Sequence, residues 1–182
     1  TRALIGALAS RAILDYPNDR SSHDTPTPRG GGIVILAALL PAWLLIGIFF
    51  QAAPVGVPTI IAVALILATL SWIDDLRGIA PAPRFAVQAI GVVAALIFAP
   101  LPGPVFGGWL PPVVDFALTA LLWLWFINLF NFMDGIDGIA GVQTAGIGLG
   151  VFVTAKVGKL NGYWLAFGLT TAAAAVGFLR WN

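Results

Sequence analysis

The sequence predicts an all-α polytopic integral membrane protein, about six transmembrane helices preceded by an N-terminal helical stub, and three observations predict it. Hydrophobic residues make up 59% of the 182 residues and charged residues only 9%, against roughly 25% charged in a soluble domain. The mean hydropathy is +0.96. Uncharged runs recur at about the 20 residues a helix needs to cross a hydrocarbon core of about 30 Å. The same composition excludes disorder, which requires low hydrophobicity and high charge. A formal net charge of +1 leaves no basic surface for nucleic acid. With no cysteine, disulfide frameworks, CxxC redox pairs and thiolate metal sites are excluded as well.

Residues 1–14 read as the last turns of a helix whose beginning is absent. No charge occurs between Arg29 and Asp74, but Pro54, Gly56 and Pro58 interrupt the run. Two helices result, at about 33–50 and 58–73, joined by a tight turn. The next apolar run extends from Phe85 to about Ala99 and stops at PLPGPVFGGWLPP (100–112), which is too rich in Pro and Gly to be helical. Further helices are expected at about 114–131, 141–156 and 163–179, all within a single membrane-embedded domain over 1–182. The chain opens on Thr1 and its one methionine is Met133, which suggests a processed or excised piece. No internal repeat is evident, so the inverted-repeat signature of many transporters is not supported.

Pairs of crossings return the chain to the side it left, which puts Asp15–Gly32, Asp74–Arg84, Asn128–Asp137 and Arg180 on one face. Arg11, Arg20, Arg29, Arg77, Arg84 and Arg180 lie there, while Lys156 and Lys159 lie opposite, so the positive-inside rule makes that face cytoplasmic. Seven of the eight acidic residues, all but Asp115, share it. Carboxylates gathered from segments distant in sequence are a site hypothesis in a membrane protein. Trp109, Trp123, Trp125, Trp164 and Trp181 fall near span ends, where aromatic belts need no catalytic explanation.

Asp74 and Asp75 end the second span at its C-terminus, where the helix dipole disfavours an anion; a divalent cation would reverse that sign, and the competing reading is that they merely stop the helix. In NLFNFMDGIDGIAG, Asn128, Asn131, Asp134 and Asp137 recur every three residues, and Gly135 and Gly138 suggest that the chain leaves the helix there. Asp137 is a candidate cap for the following helix. Capping accounts for one aspartate, not for two amides and a second carboxylate beside the apolar LWLWFI. The first polar segment offers Arg20, His23 and Arg29 as anion partners, and Gly30–Gly32 can bring backbone N–H groups to a phosphate or simply allow close packing. No GK[ST] follows, so this is not a P-loop. Arg77 and Arg84 read equally as anion partners and as positive-inside anchors.

PNDRSSHDTPTPRGGG, SWIDDLRGI and NLFNFMDGIDGIAG, in this order with pairs of spans between them, resemble the bacterial polyprenyl-phosphate N-acetylhexosamine-1-phosphate transferases, glycosyltransferase family 4, and look more like the O-antigen and capsule branch than the peptidoglycan branch. The resemblance covers essentially the whole chain. It implies transfer of a sugar 1-phosphate from a UDP-N-acetylhexosamine to undecaprenyl phosphate at the cytoplasmic face of the bacterial inner membrane, with release of UMP. Mg²⁺ is the implied cofactor, Mn²⁺ an alternative, and a homodimer is compatible with it. The implied catalytic residues are Asp74, Asp75, Asp134 and Asp137. Asp75 is linked to the metal and Asp74 is a base or lipid-phosphate partner. Asn131, Asp134 and Asp137 line the nucleotide site, and Asn128, Arg29, Thr27, His23 and Arg77 complete the substrate contacts. Two departures stand out. Gly78 replaces the Lys or Asp that some members carry three residues after the second Asp, and the chain ends at GFLRWN, before the family's GD-containing metal segment and histidine loop. These residues therefore look like the middle half of an enzyme, expected to be inactive alone.

The competing class is a cation transporter or channel using the cytoplasmic carboxylates, which would want ionisable groups near the bilayer midplane; no inferred span interior has one. A CDP-alcohol phosphotransferase would need DG-x2-AR, and no such motif occurs. The topology is testable with single cysteines introduced into this cysteine-free chain. An impermeant thiol reagent applied to intact cells is expected to label Gly107→Cys and not Ser22→Cys; the reverse pattern overturns it.

Overall fold

The computed structural model describes residues 14–15, 27–28, 32–50, 56–101, 103–133 and 138–179. Six helices follow a two-residue antiparallel ladder in which β1 (Leu14–Asp15) pairs with β2 (Thr27–Pro28), Leu14 opposite Pro28 and Asp15 opposite Thr27. The helices are α1 (Gly32–Phe50), α2 (Val57–Arg77), α3 (Pro81–Phe98), α4 (Pro112–Met133), α5 (Ile139–Val157) and α6 (Gly162–Leu179). All six are long and apolar enough to cross a membrane. The expected fold class and span count are found, with one correction at the start: Leu14 closes no helix but pairs in β1, while residues 1–13 lie outside the described residues.

The helices run past the apolar stretches that announce them. α2 continues through Asp74 and Asp75 to Arg77, and α3 begins at Pro81 rather than Phe85. Polar residues at a span end sit in the interfacial zone, where helical hydrogen bonding continues at no desolvation cost. Pro81 is the first helical residue of α3, where a missing N–H costs nothing. Inside the spans, hydroxyls and amides bond their own helix. Thr69, Thr119, Thr144 and Thr171 donate to the carbonyl four residues back at 2.7–2.8 Å. In hydrocarbon no water can serve these groups, so the backbone does.

Two compact units are described. One comprises residues 1–53 and 133–182. Its centre is the α5–α6 hairpin, whose facing positions are small: Gly141, Ala145, Gly148 and Ala155 on α5, and Gly168, Ala172 and Ala175 on α6 are all buried. A Cβ on Gly148 would stand 2.5 Å from the Ala172 nitrogen, and one on Gly168 would stand 2.6 Å from the Phe152 nitrogen. The two backbones therefore touch, which is how helices attract one another where no hydrophobic effect drives them together. α1 packs on α6 through Trp43, edge-on to Phe167 with ring centroids 5.5 Å apart.

The second unit, residues 54–132, pairs α2 with α3 as antiparallel neighbours. Gly91 of α3 sits against Val63 and Leu67 of α2. At one end of this unit, the loop before α4 folds over Asp115, which is 7% exposed and accepts the backbone N–H groups of Val105 (3.1 Å) and Phe106 (3.0 Å). Gly107 and Gly108 take positive φ of 63° and 81° to make that turn, a backbone region that side chains disfavour.

The contact between α5 and α6 gives a direct test. Gly148→Val is expected to destabilise the folded protein by about 1–3 kcal/mol through overpacking. Gly146→Val, on the same helix where a Cβ meets nothing within 4 Å, is expected to leave thermal stability in detergent near that of the unsubstituted protein. Equal losses in the two variants would show that the close approach contributes nothing.

Candidate active site

Asp74 and Asp75 stand in the last turn of α2, about 100° apart around the helix. The two carboxylates therefore face different surroundings. Asp74 is half-buried on the side that meets α3, whereas Asp75 is exposed. The left-handed Gly78, with φ 67°, closes α2, its N–H bonding the Asp74 carbonyl at 2.8 Å. The chain then turns back so that the N–H of Ile79 donates to Asp74 Oδ1 at 2.7 Å. Asp74 Oδ2 accepts from Arg84 Nη1 in the first turns of α3, at 2.8 Å.

This arrangement revises one expectation. The sequence argument makes the two aspartates ill-placed anions that a cation would rescue; for Asp74 the rescue is supplied by the protein, through a backbone N–H and a guanidinium. Arg84, readable in sequence only as one of two ambiguous basic residues, is the one brought to Asp74. Arg77 ends α2 and is exposed. It complements the negative end of the helix dipole.

Asn128 and Asn131 lie in the last two turns of α4. Asn128 Nδ2 donates to the Leu124 carbonyl at 2.9 Å, so its amide group is partly committed to its own helix. Asn131 is exposed. α4 stops at Met133, as the glycines of the following motif suggest. Asp134 and Asp137 lie outside the described residues, as do His23 and Arg29, and only the backbone of Thr27 is described. The cap position of α5 is Gly138, with φ 77° and no side-chain cap. The capping role considered for Asp137 thus falls one residue too early in the chain. Among the described residues, no three His, Cys, Asp or Glu side chains gather as a metal cluster.

Two further polar groups in the same unit escaped the sequence reading. Gln88, one turn beyond Arg84 on α3, is 8% exposed and its Oε1 has no hydrogen-bond partner. Its spacing of four from Arg84 was the available signal. Asp115, set apart from the other carboxylates by topology, helps to line a cavity of about 490 Å³ with Leu96, Pro104, Phe116 and Thr119. That cavity lies toward the opposite end of α3 from Arg84, about 18 Å along the helix axis from Arg84 to Leu96.

Comparison with known proteins assigns the arrangement to a family. Residues 57–182 match the model of glycosyl transferase family 4. The chain is 34% identical over 164 residues to a decaprenyl-phosphate N-acetylglucosaminephosphotransferase of Mycobacterium leprae, covering 80% of this chain and 39% of that protein. It is 30% identical to an undecaprenyl-phosphate alpha-N-acetylglucosaminyl 1-phosphate transferase of Escherichia coli K12, covering 75% and 39%. A probable undecaprenyl-phosphate N-acetylglucosaminyl 1-phosphate transferase of Bacillus subtilis is 27% identical over 180 residues, covering 93% and 48%. The chain thus spans between two-fifths and half the length of these relatives, and no solved structure matches it. On the family match over most of its length, the chain is a member of glycosyl transferase family 4.

Proposed function

We propose that this chain carries part of the reaction centre of an enzyme that transfers an N-acetylhexosamine 1-phosphate from its UDP-sugar to undecaprenyl phosphate. The products are UMP and the lipid-linked diphosphosugar, the first intermediate of a cell-surface glycan such as O-antigen or capsule. The reaction would take place at the cytoplasmic face of a bacterial inner membrane. The observation that carries this reading is the similarity to transferases that use a polyprenyl phosphate, joined to paired carboxylates at the end of a spanning helix.

An oxygen of the lipid phosphate forms a bond to the β-phosphorus of the UDP-sugar, and the bond from that phosphorus to the bridging oxygen breaks, leaving with UMP. The attacking group is already an anion, so the protein's task is to bring two phosphate-bearing molecules together and offset their repulsion. Asp75 is an exposed hard oxygen donor, and Mg²⁺ binds through one or two carboxylates plus substrate phosphates. When bound, Mg²⁺ would be held by Asp75 and would neutralise phosphate charge, with Mn²⁺ able to replace it. Arg84 keeps donors beyond the one given to Asp74 and adds positive charge at the end of α2. Asn131, Asp134 and Asp137 supply the mix of donors and acceptors that a uracil and a ribose require. Arg29, Thr27, His23 and Arg77 are the anion-side contacts, and Asn128 holds the end of α4.

The reading is tested by UMP release from UDP-N-acetylhexosamine in membranes containing the intact protein, undecaprenyl phosphate and Mg²⁺; no release overturns it. Asp75→Asn is expected to lower turnover by about a hundredfold or more at unchanged levels of inserted protein, beyond the ~10–100-fold typical of groups that only support a ligand. Near-normal Mg²⁺-dependent turnover would remove Asp75 from the metal site. For Asp137, the Asn variant is expected to insert normally and lose UMP affinity or activity. Full activity in Asp137→Asn, together with reduced folded protein in Asp137→Ala, would restrict nucleotide recognition to Asn131 and Asp134.

A further inference from the structure

Asp74 and Arg84 are each set against the helix that carries them. Asp74 stands in the last turn of α2, where the backbone carbonyls concentrate negative charge. Arg84 stands at the fourth residue of α3, whose N-terminal end is positive. Each charge is unfavourable where its helix puts it, and each is the other's remedy across the turn at 2.8 Å. The second oxygen of Asp74 is held as well, by the Ile79 N–H at 2.7 Å, and Gly78 adopts the left-handed conformation that aims this N–H. The carboxylate is therefore fixed in orientation by two donors from the α2–α3 turn.

We propose that Asp74 is a positioning residue, which acts through Arg84 and the α2–α3 turn to hold the guanidinium in place at the junction of the two helices, and is not the group that accepts a proton in the reaction. This rests on the proposed transfer to a lipid phosphate, a nucleophile that is already anionic and gains more from a fixed cation than from a base. Arg84 spends one of its five N–H donors on Asp74. Its remaining donors stay available to a phosphate oxygen.

The test is a double-mutant cycle of Asp74→Asn, Arg84→Gln and the pair, read in the intact membrane protein by thermal stability and by UMP release across pH. If the two charges serve each other, the double variant is at least as stable as the less stable single variant, because removing both removes both misplaced charges. In activity, each single variant is expected to fall by about tenfold or more, with the double within about threefold of the worse single rather than at their product. Asp74→Asn keeps the shape of the kcat–pH profile, and Arg84→Lys recovers part of the loss at Arg84. Loss of the acidic limb of the kcat profile in Asp74→Asn, or multiplicative loss in the double variant, overturns the positioning role. Absence of UMP release from the unsubstituted protein would instead overturn the proposed function. In that event the stability cycle still decides the pair, and strictly additive destabilisation counts against it.

Discussion

Carboxylates held by backbone N–H groups of a neighbouring turn organise the unit formed by residues 54–132. Asp74 and Asp115 are each tied in this way. Asp74 takes Ile79 and adds Arg84; Asp115 takes Val105 and Phe106. Hydrogen bonds from backbone N–H to a carboxylate are charge-assisted and stronger than neutral ones. Each carboxylate thereby sets the path of the chain between two spanning helices, one at either end of α3.

A shortage of water explains why the spans solve their polar problems internally. Threonine hydroxyls and the Asn128 amide return to carbonyls of their own helices, so these side chains ask nothing of the lipid. Where helices must adhere, as α5 and α6 do, glycine and alanine remove side-chain bulk and let dispersion between backbones do the work. Large apolar residues such as Leu121, Leu122 and Trp125 remain exposed on the surface of α4. A hydrocarbon environment accommodates them without further packing.

The spans were legible because charge is so scarce: the uncharged stretches of spanning length are helices, and Pro and Gly near positions 54–58 and 100–112 divide the longer ones. Their ends were less legible, since a helix such as α2 can continue three residues past the point where hydropathy falls, to a stop set by the left-handed Gly78. The β1–β2 ladder left no sequence signal, because two residues cannot show an alternating pattern. Of the candidate site, the aspartate pair and the asparagines of α4 could be named from spacing. Their different surroundings could not, since Arg84 meets Asp74 only once the turn between them is formed. Asp115 is bound by loop backbone nine and ten residues away, and backbone donors carry no residue identity for a sequence to reveal.

Adjacent aspartates in a sequence invite treatment as one functional group, and helical geometry argues against it. A step of one residue rotates the side chain by about 100°. If Asp74 faces the neighbouring helix, Asp75 must face elsewhere, and it is Asp74 that builds the turn while Asp75 is exposed. Which one is set by where α3 lies, and α3 lies against the face of α2 that carries Val63, Leu67 and Asp74. These residues are spaced four and seven apart, the separations that place side chains on a single helical stripe. Moving the pair one position toward the N-terminus would put the second carboxylate, not the first, on that stripe, so the packing of Gly91 against Val63 and Leu67 helps to decide which aspartate meets Arg84.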